Sequence, residues 1–162
     1  VRIVSVSLQI SLGTAAANYE GAAALWCSLG LRPRLIEVGF STGSSVSISY
    51  QIRRVTISGI PVKNVSVPLI AEDDNPEQAA SGPSGVWITP SFSSTGITQT
   101  TNWAQKPVFD SALSIRSSRT GGAVGSAMSV FPRGITFSAD SPLMICTQQT
   151  DTSFDFWAVV AL

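Results

Sequence analysis

The chain has 162 residues, ten Lys plus Arg against ten Asp plus Glu, a formal net charge of zero, and no histidine. This length suits one domain that buries a core without needing a metal or disulfide. The missing histidine removes Ser-His-Asp and Cys-His nucleophile activation and the commonest metal ligand.

Charged residues make up 12% of the chain, about half the usual ~25%, and Ser, Thr and Gly take their place. Such a surface repels neighbours weakly and tolerates close association with other copies. With no surplus cation to displace phosphate counterions, and basic residues scattered along the sequence, nucleic acid is not expected as a direct partner. Eight of the ten cations are Arg, the others being Lys63 and Lys106, which leans toward planar contacts at protein interfaces.

In chain order, Val4, Val6, Leu8, Ile10 and Leu12 alternate with Ser5, Ser7, Gln9 and Ser11. That period of two predicts a strand with one face on the core. Residues 1–14 read as an N-terminal arm or edge strand of a single domain spanning 1–162. The interrupted apolar pairs do not make a signal peptide, and no run approaches the ~20 apolar residues of a membrane span, so a soluble chain without a membrane partner is expected. Residues 15–29, AAANYEGAAALWCSL, are Ala-rich and predict a short helix, weakened by Gly21.

The alternation returns in Val46, Ile48, Tyr50 and Ile52, and again in Phe154, Phe156, Ala158, Val160 and Leu162. Shorter strands are predicted at 34–40, 54–58, 62–70, 85–89, 108–116, 134–138 and 142–147. Turn signals fall at Gly43, Gly59-Ile60-Pro61, Asp74-Asn75-Pro76, Gly82-Pro83, Gly121-Gly122, Pro132 to Gly134 and Asp140 to Pro142. Residues 71–85 and 91–107 read as long surface excursions, and 117–129 as a mobile Gly/Ser-rich segment. The expected fold is all-β: a single-domain antiparallel β-sandwich or jelly roll of about eight strands with little helix.

No phosphate-binding glycine loop or nucleophile elbow occurs in usable context. Glu37, Asp110 and Asp155 are the candidates for a carboxylate pair of the glycosidase kind, but they read as strand-surface or rim charges. Glu72, Asp73, Asp74 and Glu77 alternate oxygen ligands with Asn75, yet Pro76 stiffens the loop and no loop glycine is present, so a solvated acidic loop is expected. Cys27 and Cys146 read as buried small hydrophobes, a bridge staying open if their strands lie side by side. No catalytic residue, cofactor or metal is expected, and the chain reads as a structural or binding module.

Trp26 and Trp157 sit in apolar surroundings that look buried. Trp87 and Trp103 flank a long loop, where exposed rings stack on sugars in carbohydrate-binding modules; packing is the plainer use of such rings.

At Arg32 to Phe40, RPRLIEVGF, the chain resembles small virion proteins of tailed bacteriophages, which carry such a strand after a short Ala-rich stretch. The likeness continues at Leu69 to Asp73, at Phe131-Pro132-Arg133-Gly134-Ile135, at Ser141 to Ile145 and at Asp155 to Val160. The resemblance is to capsid decoration (cement) proteins, and it implies a β-sandwich or jelly-roll trimer on the capsid surface of the virion, with the major capsid protein and further copies of itself as partners. The contact residues expected on that reading are Val4, Val6, Leu8, Ile10, Arg53, Arg54, Phe156 and Trp157. The alternative is a carbohydrate-binding module or fibre tip that recognises glycans through Trp87 and Trp103.

Overall fold

Strict alternation makes β1 (Ile3–Ser11) a strand, with Val4 and Val6 buried and Ser7 and Gln9 exposed. The structure, a computed structural model, describes residues 2–11, 20–42, 49–54, 67–72, 84–90, 115–119, 125–147 and 153–162. Ten more strands follow: β2 (Glu20–Cys27), β3 (Arg34–Thr42), β4 (Ser49–Arg54), β5 (Val67–Pro68), β6 (Ile70–Ala71), β7 (Val86–Pro90), β8 (Arg116–Arg119), β9 (Gly125–Thr136), β10 (Leu143–Thr147) and β11 (Ser153–Ala161). No helix occurs among the described residues.

The strands form two antiparallel sheets, in the orders β6-β1-β11-β3-β9 and β5-β7-β2-β10-β4-β8. Setting aside β5, β6 and β7, the pairs β1–β11, β2–β10, β3–β9 and β4–β8 nest inside one another. They amount to one long hairpin, rolled so that β11 also pairs with β3 and β10 with β4. This is the strand order of a jelly roll, and the fold is the β-sandwich expected. The three short strands come from the long segment between β4 and β8. At Leu69 the chain crosses from one sheet to the other: β5 pairs with β7, β6 with β1, and the buried Leu69 side chain closes that side.

The core lies between the sheets. Val38, Phe40, Phe156, Ala158 and Val160 meet Leu25, Tyr50, Ile52, Ile88 and Ile145, all fully buried. Phe40 anchors the middle, 4.2 Å from the Tyr50 ring and 5.1 Å from the Phe156 ring. The Tyr50 hydroxyl is 2.7 Å from the Ser129 hydroxyl of the opposite sheet, so a buried hydrogen bond joins the layers.

Several expectations are corrected. The helix expected over 15–29 is strand β2 from Glu20 onward. Ala23, Leu25 and Cys27 face the core while Ala24 and Trp26 face outward, and all are buried. Burial on both faces erases the period of two that marks a half-exposed strand, and tertiary packing overrides the helix propensity of Ala. The stretch 117–129 contains β8 and the start of β9, because small Gly and Ser residues fit a paired edge as readily as a loop.

Pro132 to Gly134 do not end a strand. They form a bulge within β9, where Leu35 pairs with Ile135 but Glu37 pairs with Val130. Gly134 takes φ +70° there, with Arg34 packed where a Cβ would sit. The Asp140 turn is as expected, with Ser138 and Ser141 exchanging backbone hydrogen bonds of 3.2 Å. The N-terminal segment is not a detached arm: β1 pairs along its length with β11 and at Val4 and Ser5 with β6. Predicted strands over 55–66 and 108–114 lie outside the described residues.

Candidate contact surface

The two sheets present different outer surfaces, and the difference starts in their sequences. On the six-stranded sheet the outward residues Ala24, Trp26, Thr89, Met144 and Cys146 are themselves buried. Trp26 stacks on its cross-strand neighbour Trp87, with centroids 4.8 Å apart, and donates its indole N–H to the Thr89 hydroxyl at 3.0 Å. Trp87 is therefore half-buried, with one ring face occupied, and Trp103 lies outside the described residues. The two-tryptophan platform expected for glycans is not assembled by the described residues.

The five-stranded sheet has an open outer face. Two rows of cross-strand neighbours cross it: Ile70, Ser5, Val159, Glu37 and Val130, then Ser7, Trp157, Gly39 and Met128. Ile70 is 68% exposed, Met128 57% and Val130 46%. Ser7 and Gln9 of β1, with Asp155 of β11 and Ser126 of β9, give the face a polar, exposed margin. An apolar strip framed by hydroxyls and amides is the composition of a protein contact surface.

At its centre the Trp157 ring lies flat over Gly39, where any added methyl would run into the six-membered ring. The indole N–H donates to Glu37 Oε1 at 2.7 Å. A glycine on β3 thus makes room for a large ring on β11, and a carboxylate two residues along β3 fixes its orientation. Alternation along 154–162 places Trp157 on this outer face; the glycine opposite it is a pairing that sequence order does not reveal.

The other expected contact residues fall elsewhere. Val4, Val6 and Phe156 are buried in this chain's own core, and Leu8 packs against it, because the alternation that marks a strand equally marks its inward face. Ile10 pairs with Phe154 in the β1–β11 ladder. Arg53 is half-buried on the outer face of the six-stranded sheet, beside Cys146. Arg54 is an internal staple, donating to the Thr136 carbonyl at 2.8 Å and the Ser141 hydroxyl at 3.2 Å. Of the eight, Trp157 stands on the open face, and no sequence pattern marked Ile70, Met128 or Val130.

Glu37 and Asp155 share the outer face of the five-stranded sheet, but Glu37 is committed to Trp157; Asp110 lies outside the described residues. Of the acidic run, Glu72 is exposed after β6, and Asp73, Asp74 and Glu77 lie outside the described residues. Among the described residues no three Cys, Asp or Glu gather as a metal-holding group.

The cysteines sit on adjacent, paired strands, yet Cys146 pairs with Gly21, six positions from Cys27, roughly 20 Å along the strand. Both are free thiols. Burial pushes the Cys27 pKa up to about 11 and that of Cys146 up to about 12, the latter in spite of the nearby Arg53.

Compared with known proteins, the chain matches no family model, no curated protein and no solved structure.

Proposed function

We propose that this chain is a structural protein of a virion, of the capsid-decoration type. It acts through contact, as a jelly-roll module held on a protein shell by the main capsid subunit and by further copies of itself in a trimer. The observation that carries the reading is the open, apolar-centred face of the five-stranded sheet, with Ile70, Trp157, Met128 and Val130 across it. A lone soluble domain gains nothing from leaving such a strip in water, whereas a repeated shell multiplies each modest contact through avidity. The jelly-roll order supports the same reading, since viral capsid and lectin domains both use it.

The test combines light scattering of the purified chain with binding to empty capsid shells. The expected result is an oligomer that coats shells and raises their resistance to heat. Met128→Asp with Val130→Asp should abolish coating while leaving the fold intact. A chain that stays monomeric and binds no shell would sink the proposal. Glycan binding in place of shell binding, lost with Trp87→Ala, would move the function to the lectin class.

A further inference from the structure

Six of the eight arginines (Arg2, Arg32, Arg34, Arg53, Arg54 and Arg133) belong to one end of the sandwich, although they are scattered in sequence. At that end β1 and β3 begin, β4 ends, and β9 turns toward β10. Arg2 and Arg53 are half-buried and already engaged, and Arg54 is tied to Thr136 and Ser141. Arg32, Arg34 and Arg133 are exposed and make no ion pair or side-chain hydrogen bond among the described residues.

These three are neighbours. Arg32 and Arg34 sit two residues apart at the start of β3. Arg133 rides on the β9 bulge, whose Gly134 packs against the Arg34 side chain. The Phe137 N–H, donating to the Pro33 carbonyl at 3.0 Å, holds the two segments together. Asp140 stands in the adjoining turn, so among the described side chains three exposed cations face one anion here.

The opposite edge of the same sheet ends on an acid. The Glu72 N–H donates to the Ile3 carbonyl at 3.1 Å, Ile3 pairs with Ala161, and Ala161 pairs with Arg34. Glu72 and Arg34 therefore lie in one row, three strand spacings or about 14 Å apart, too far for an ion pair within one chain. Glu72 is exposed, with no partner for its carboxylate among the described residues, and Asp73 and Asp74 follow it in sequence.

We infer that the Arg32–Arg34–Arg133 corner of one copy docks on the Glu72 edge of the next. The contact is head-to-tail, so repeating it closes a ring when the rotation permits. It rests on the proposed structural role and names the self-contact behind it. A second copy fits better than a polyanion because the chain is neutral overall and carries both halves of the charge pair at matching depth of one sheet, the arginines on β3 and the edge strand β9 and the acid beside the opposite edge strand β6. Arginine's planar fork suits carboxylate recognition.

The test is sedimentation velocity of the full chain at about 50 mM and about 500 mM salt, which shortens the screening length severalfold. The wild-type chain should associate at low salt and dissociate at high salt. Arg34→Glu with Arg133→Glu should weaken association at least tenfold, as should Glu72→Arg from the other side. All three changes in one chain reverse the polarity and should restore it.

A wild-type chain that is monomeric at low salt, an arginine variant that associates normally, or a triple variant no better than its parents overturns the inference. So does an arginine variant that loses heparin binding while still associating, which would make the corner a polyanion site. Ring formation without shell binding would remove the virion role and leave this contact standing; shell coating indifferent to the charge swap would do the reverse.

Discussion

The buried hydrogen bond between Tyr50 and Ser129 joins the two sheets, and its removal offers a measurement with a defined sign. Tyr50→Phe keeps the ring against Phe40 and deletes only the hydroxyl, leaving the Ser129 hydroxyl buried without its 2.7 Å partner. An unsatisfied buried polar group costs about 1–3 kcal/mol. For a domain of this size, a loss near 1.5 kcal/mol lowers the melting temperature by about 3–6 °C.

Ser129→Ala should cost a similar amount by orphaning the Tyr50 hydroxyl. The double variant removes both polar groups and should cost less than the two single changes together, giving a coupling energy of about 1 kcal/mol. Urea denaturation of all four chains, followed by tryptophan fluorescence and circular dichroism, closes the cycle. Strictly additive effects would refute the reasoning, because they would mean that the two hydroxyls do not depend on each other.

Gly39→Ala should destabilise by about 1–3 kcal/mol by forcing Trp157 off the sheet and breaking its bond to Glu37. The same change in a Trp157→Ala background should be nearly neutral by thermal melting, and an undiminished cost there would point to backbone strain instead. Folding holds both thiols neutral, so their contribution to stability is complete below the unfolded pKa near 9 and is lost as pH rises through about 11 for Cys27 and about 12 for Cys146. Melting temperature should thus fall across that alkaline window, less so in a chain with both Cys→Ala. Neither thiol should react with iodoacetamide at neutral pH until the chain unfolds; rapid labelling of the native chain would contradict their burial.

The sequence made the half-exposed strands legible. β1, β3, β4 and β11 each alternate, and a period of two survives only where one face meets solvent. β2 failed that reading because both its faces are buried, leaving Ala-rich composition as a misleading guide. β8 and the first half of β9 failed because Gly, Ser and Ala at a sheet edge look like a loop. The contact surface was less legible still. Alternation identified Val4, Val6 and Phe156 as one face of a strand, and that face turned inward. Met128 was hidden in a stretch read as mobile, and Val130 follows directly after it.

The rolled hairpin explains why surface features escape a linear reading more readily than strands do. Its outermost pair joins Ile3 to Ala161, and the next pair inward along the chain lies in the other sheet. Residues that share a patch, such as Glu37 with Trp157 or Arg34 with Arg133, are therefore separated by about a hundred positions and by elements of both sheets. A net charge of zero and scattered arginines suggest an evenly neutral surface when read in sequence. Rolled up, Arg32, Arg34 and Arg133 come together on β3 and the β9 edge of the five-stranded sheet, and Glu72 follows the opposite edge strand β6. Under the proposed contact, a chain of zero net charge offers its own copies a complementary edge without acquiring the net charge that would draw it to nucleic acid.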